Sequence, residues 1–250
     1  MSDRNTTLAK VPTVTIGFWV IKILATTLGE TGADLFTQQF AMGYLLGIVV
    51  FALPLAVLVA WQIHTTRFHP LLYWATILAS TTAGTAAADF FDRSLGIGYA
   101  GGAAVLLTGV LGALAVWRWT LGTVSVASVS GPKAESFYWL TITLSQTLGT
   151  ALGDWAADDG GLGYAGGAAL FGGLLALLVL AWWRTGISRV VLFWAAFILT
   201  RPLGATVGDF LDKPLAQGGL GFGRDHATLV LVALIALALW LIPQRAGKAH

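Results

Sequence analysis

The sequence predicts an all-α polytopic membrane protein, with eight transmembrane helices arranged as four parallel, pseudo-repeated helical hairpins in two halves. Three observations point there: an apolar composition, eight apolar stretches of spanning length, and a repeat that recurs four times. Hydrophobic residues make up 56% of the chain and charged residues 10%, with a mean hydropathy of +0.78. A soluble domain carries about a quarter charged residues, and a soluble globule this small has too little interior to hide so much apolar surface. The lipid bilayer is therefore the expected solvent and partner.

Crossing the hydrocarbon takes about 20 apolar residues. Stretches 14–34, 41–62, 71–91, 98–118, 137–156, 162–183, 189–210 and 226–243 qualify, some with a few polar residues inside. The first contains Lys22, Glu30 and Asp34 and is followed by no small-residue cleavage site, so it reads as a retained helix and not as a signal peptide. Arg4, Lys10, Arg67, Arg118, Lys133, Arg184, Arg189, Arg245 and Lys248 fall at one set of helix ends, and only Arg93, Lys213 and Arg224 at the other. Basic ends face the cytoplasm, which predicts a bacterial inner (cytoplasmic) membrane protein with both termini cytoplasmic. The outer turns hold Asp92, Asp158, Asp159, Asp212 and Asp225.

Internal repetition is the strongest signal. Trp19, Trp74, Trp139 and Trp194 each follow an aromatic residue, namely Phe18, Tyr73, Tyr138 and Phe193. Ten residues after each Trp stands a glycine (Gly29, Gly84, Gly149, Gly204), and fifteen after it an aspartate (Asp34, Asp89, Asp154, Asp209). The second helices repeat more weakly, through Gly98-Tyr99-Ala100-Gly101-Gly102-Ala103 and Gly163-Tyr164-Ala165-Gly166-Gly167-Ala168, and each ends near a tryptophan: Trp61, Trp117, Trp182 or Trp240. The Trp markers stand 55, 65 and 55 residues apart, the extra length falling in the polar stretch 121–135. This divides the chain into an N-terminal half, 1–130, holding repeats one and two, and a C-terminal half, 131–250, holding repeats three and four. Two helices per unit give every unit the same topology, so the repeats are parallel and not inverted.

The Phe/Tyr-Trp pairs and the Gly-x-x-x-x-Asp segments, such as Gly149 to Asp154, resemble those of uncharacterised bacterial membrane proteins known by a four-fold repeat of unknown function, two membrane helices per repeat. The resemblance covers nearly the whole chain. It implies the fold and carries no established activity with it.

Several functions are excluded by what the chain lacks. There are no cysteines, hence no disulfide, thiolate metal site or cysteine nucleophile. His64, His69, His226 and His250 are scattered. The net charge of +2 is spread over short loops, which argues against a nucleic-acid partner. No nucleophile elbow, phosphate loop or zinc-protease helix is present, and Gly218–Gly223 reads as a flexible outer turn. An enzyme is not expected, and no cofactor is implied.

The residues that could carry chemistry lie on one helical face. With Trp as zero and 3.6 residues per turn, offsets 7, 11 and 15 fall within about 80° of one another. Offset 7 holds Thr26, Thr81, Gln146 and Arg201; offset 11 holds Glu30, Thr85, Thr150 and Ala205; offset 15 holds the four aspartates. Thr27, Thr82 and Thr147 edge the same face. An ionisable group at mid-membrane costs at least about 2.5–3.5 kcal/mol, so these stripes should turn inward and gather the aspartates near the outer face. Glu30 and the four aspartates outnumber Lys22 and Arg201 by three. Buried carboxylates without partners must be protonated, paired or bound to a cation, and a set of oxygen ligands suits Mg²⁺, Mn²⁺ or Ca²⁺. A shared-proton cluster would serve proton coupling instead.

Plainer readings stand beside these. Each aspartate could cap the helix that follows it, and the threonines could bond their own helix backbone. The glycines, with Gly29/Gly32/Ala33, Gly149/Gly153 and Gly204/Gly208 as ridges, read as packing residues, and the tryptophans as interfacial anchors. Lys22 could reach the inner interface by snorkelling. Arg201 is too deep for that. It precedes Pro202, expected to kink or break its helix, and its expected partner is Glu30 or an aspartate. It could act as a tethered cation, as a gate, or as a receptor for an anionic group.

The leading expectation is a small transporter or exporter of a hard cation, Mn²⁺ by choice. Asp34, Asp89, Asp154 and Asp209 would ligate the ion, joined by Glu30, Thr85, Thr150 and Gln146, with Arg201 and Lys22 as gate or ion pair and carboxylate protonation coupling transport to the proton gradient. The divalent cation would be substrate, and a homo-oligomer is compatible with the pattern. A non-transporting scaffold or sensor, in which the stripes only fix helix packing, is the alternative from another class. A proton-coupled carrier of a small organic solute is the third.

Overall fold

The computed structural model describes residues 9–94 and 96–247; Arg4, Lys248 and His250 lie outside them. Among the described residues the protein is all-helical. Eight long helices follow in order: α1 Ile16–Asp34, α2 Tyr44–His64, α3 Pro70–Asp89, α4 Tyr99–Leu121, α5 Pro132–Asp154, α6 Gly163–Arg184, α7 Arg189–Asp212 and α8 Arg224–Leu241. After α1, α3 and α5 the chain runs directly into one wider π turn: Leu35–Gln39, Phe90–Ser94 and Trp155–Asp159.

The odd-numbered helices form a closed inner ring. α1 packs on α3, α3 on α5, α5 on α7, and α7 on α1. The even-numbered helices form an outer layer, and each leans chiefly on the next repeat: α2 along α3, α4 along α5, α6 along α7, and α8 back along α1. The hairpin expected from the sequence is thus a connection and not a packed pair, because the main partner of each second helix is the following unit's first helix.

Composition follows position. Five helices, α2, α4, α6, α7 and α8, are long and apolar enough on their own to cross a membrane. Such helices mark the chain as a membrane protein. The outer layer displays Leu45, Leu53, Val105, Leu111, Leu177, Leu229 and Leu237 at its surface. α1, α3 and α5, whose polar stripes the ring hides within the protein, are not among these five.

The repeated glycines explain how the ring closes. A methyl group on Gly29 of α1 would strike Thr81 of α3; on Gly84, the backbone of Gln146 and Thr147 in α5; on Gly149, the Arg201 stem in α7; on Gly204, Thr26 of α1. The glycine at offset 10 of each repeat therefore receives the residue at offset 7 of the next, and the fourth repeat receives the first. Small residues at such points let helix backbones approach closely. Gly32 does not take part, as nothing lies within 4 Å of the Cβ it would carry. Pro202 sits inside α7 without interrupting it, contrary to the break expected.

The end at which the odd-numbered helices begin is packed with aromatic rings. Phe18, Tyr73, Tyr138 and Phe193 pack with Trp74, Trp139 and Trp194, all buried, and Tyr73 and Tyr138 share a 2.6 Å hydroxyl–hydroxyl bond. These first-helix tryptophans are a floor and not lipid anchors. Of the second-helix tryptophans read as anchors, Trp61, Trp182 and Trp240 are exposed as anchors would be, as are the neighbouring Trp119 and Trp183, while Trp117 is buried. Below the floor, the segment around Lys10 ties the chain together. The Lys10 ammonium pairs with Glu135 at 2.7 Å and donates to the carbonyls of Gln62 and Thr65, and Ala9 N–H donates to Gly247 O at 3.1 Å.

Candidate functional site

Above the floor runs a polar column along the inner ring. Its lowest charge is Lys22 of α1, fully buried. The ammonium lies 4.1 Å from the centre of the Phe197 ring and 3.5 Å from Gln146 Oε1. Its side chain turns to Phe197 and Gln146, away from the end of the bundle.

One turn higher, Arg201 of α7 reaches across the ring. Its Nη2 donates to Glu30 Oε2 at 2.9 Å, to Thr85 Oγ1 at 2.5 Å and to Thr150 Oγ1 at 2.6 Å. Thr85 also faces Glu30 at 3.4 Å. One guanidinium thus touches the offset-11 residue of the other three repeats, and the fourth repeat supplies Ala205 there. The neighbouring threonines bind backbone: Thr26 donates to Thr200 O at 3.2 Å and Thr81 to Ala25 O at 3.4 Å, each across a helix interface.

The aspartates form the outermost layer, and they are all buried. They meet in two pairs, each bridged by a base. Lys213 lies 2.6 Å from Asp34 and 3.1 Å from Asp209. Arg93 lies 3.3 Å from both Asp89 and Asp154. Arg224 adds contacts to Asp34 at 3.6 Å and Asp212 at 3.5 Å, and Gln38 donates to Asp34 at 2.7 Å. Neither Asp34 nor Asp154 makes a capping bond to the turn it precedes, and the second helices begin at Gly43, Gly98, Leu162 and Gly223 without a side-chain cap. Capping therefore does not account for these aspartates. In this layer burial works against the Lys213 charge, but Asp209, Asp34 and Asp212 outweigh it and hold the ammonium above the ordinary lysine range. Burial pushes the Asp92 carboxyl, in the turn after α3, up to about 6.

Arg93, Lys213 and Arg224, read from the sequence as outer-turn residues, are the bases that face the acids. Arg93 and Lys213 stand four residues after Asp89 and Asp209, a spacing that puts two side chains on one helical face. That spacing was visible, but the helices were expected to stop at 91 and 210. They continue through the π turn Phe90–Ser94 and through Asp212, which folds both bases back over the column. Counting these three bases and Asp212, the acid excess of three becomes an excess of one.

One trio has the spacing of a metal site. Carboxylate oxygens of Glu30, Asp34 and Asp209 all lie within 4.8 Å of one another. Asp89 and Asp154, expected as ligands alongside them, belong to the Arg93 pair instead. Gln146 is held at the level of Lys22 and not with the carboxylates. Oxygen-only ligands of this kind suit a hard divalent cation, and Lys213 supplies a positive charge to two of the three.

Four tandem two-helix units closed around a polar column define an all-α repeat membrane protein. Four successive segments, residues 17–68, 72–123, 137–188 and 192–246, match the family described as Repeat of Unknown Function (DUF347). The chain belongs to that family. No curated protein and no solved structure matches it.

Proposed function

We propose that the protein is a small carrier of a hard divalent cation, with Mn²⁺ as the ion to test, in a bacterial inner membrane. All eight helices cross, α1, α3 and α5 doing so behind the outer layer, and both termini are cytoplasmic. The observation that carries this reading is the Glu30–Asp34–Asp209 trio with its oxygens within 4.8 Å. Lys213 acts there as a tethered cation, releasing Asp34 and Asp209 when a divalent ion arrives. The two carboxylates then hold the ion with Glu30, and the aromatic floor keeps the inner end shut until the ring rearranges. Proton uptake by the same carboxylates discharges the ion, since like charges this close favour sharing a proton.

A thermal-shift titration of purified protein with Mn²⁺, Mg²⁺ and Ca²⁺ tests this. Selective, saturable stabilisation that disappears in Asp34→Asn and Asp209→Asn is expected, with a weaker loss in Asp89→Asn and Asp154→Asn. A second reading, a non-transporting scaffold, is favoured by the Arg201 contacts to three other repeats, which satisfy part of the stripe internally. No response to any cation would establish that reading against the first.

A further inference from the structure

We infer that Lys22, Gln146 and Arg201 form a binding site for a small anion, a halide or a carboxylate, low in the polar column beneath the Glu30 pair. Arginine offers five N–H donors in a fixed fork. The bonds Arg201 makes to Glu30, Thr85 and Thr150 all use Nη2. Its Nε and Nη1 are buried without an acceptor among the described residues, and so is Nε2 of Gln146. Lys22, also fully buried, carries an amine whose hydrogens meet, among the described residues, Gln146 Oε1 at a long 3.5 Å and the face of Phe197.

These groups lie on adjacent levels of the column. Lys22 reaches α5 at Gln146, and the Arg201 stem lies against α5 at Gly149, three residues on. On α7, Phe197 under the Lys22 ammonium precedes Arg201 by four residues. Both helices therefore put the two cations about one turn, roughly 5 Å, apart along the column. The residues level with Lys22 on the other ring helices, Ile77, Ile142 and Phe197, are apolar, and among the described residues Glu30 is the one carboxylate in contact with either side chain. Buried donors left without an acceptor are a costly arrangement in a medium without water. A small anion would accept from these idle donors together. The aspartate layer contributes nothing to this site, so the inference stands apart from the cation pathway.

Purified protein in a halide-free methanesulfonate buffer provides the test. Unfolding is followed while chloride, bromide or acetate replaces methanesulfonate at constant ionic strength. A saturable rise in Tm is expected, roughly 5–10 °C at a hundredfold excess over the half-saturating concentration. A preference for halide identifies an inorganic ion, and a preference for acetate identifies the carboxylate of a solute. Lys22→Met, which removes one set of buried donors, should fold without added anion and need at least tenfold more anion for half-saturation. Gln146→Leu should weaken the response to a smaller degree. An equal Tm in all salts for the wild-type chain overturns the inference. So does an undiminished response in Lys22→Met and Gln146→Leu together. Stabilisation by Mn²⁺ is measured separately and decides only the cation reading.

Discussion

Glu30 and Arg201 lie 2.9 Å apart with both side chains sealed from solvent, and their energetics are asymmetric. Removing one partner of such a pair strands a charge and costs about 3–5 kcal/mol, whereas removing both is far milder. Glu30→Gln should therefore lower unfolding stability in detergent by about that amount, and Glu30→Gln with Arg201→Gln should recover most of it. A double-variant loss equal to the sum of the Glu30→Gln and Arg201→Gln losses would show that the two charges are not coupled. These two residues were legible in the sequence because each is the charged exception at its repeat position. Their phase on the helix pointed inward, and each had few rivals as a partner. Lys213 and Arg93 were not legible in the same way. Their role depends on where a helix stops, and a few residues of continued helix turn an apparent loop charge into the partner of a buried acid.

At the scale of helices, one contact recurs at all four corners of the ring: a glycine in one unit against the offset-7 side chain of the next. At Gly84 the obstacle is backbone: an added Cβ would sit 2.9 Å from Thr147 N and 3.0 Å from Gln146 C. Backbone cannot swing aside as a long side chain can. Gly84→Ala should force α3 and α5 apart and destabilise by about 1–3 kcal/mol, read from the unfolding midpoint. Gly32→Ala, with open space around the new methyl, is the control. It should be neutral or stabilising by about 0.5–1 kcal/mol, because alanine restricts the unfolded chain. The sequence showed that the glycines belonged to a packing face, but a one-chain periodicity names a face and not the neighbour it meets. Gly29 and Gly32 therefore looked alike, although only one of them is filled.

The ring also couples the two halves of the chain. α1 meets α7 and α8, and α3 meets α5, so residues 1–130 and 131–250 share two long seams. Each seam carries charge: Lys213 to Asp34, Arg201 to Glu30, and Arg93 to Asp154. A half made alone would bury unpaired ions. Expressed separately, 1–130 and 131–250 should fail to accumulate; expressed together, they should co-purify as a one-to-one complex, which affinity capture through a tag on one half would detect. Accumulation of either half alone as a stable monomer would count against a single continuous ring. At this scale the repeat, the helix order and the inward polar stripes were all readable, because periodicity in one dimension reports them directly. What went unread is which helix lies beside which.

That neighbour relation has a consequence for how such a chain could arise. Every unit extends an arm onto the unit after it and offers a shelf to the unit before it, and the last arm returns to the first shelf. A lone unit would have an empty shelf and a dangling arm, so four separate copies could interlock into the same circle that the single chain now makes. Fusing them would keep the interlocks and free each copy to diverge. In this molecule one quarter has taken an arginine and another a glutamate at places where identical copies would have set like charges face to face.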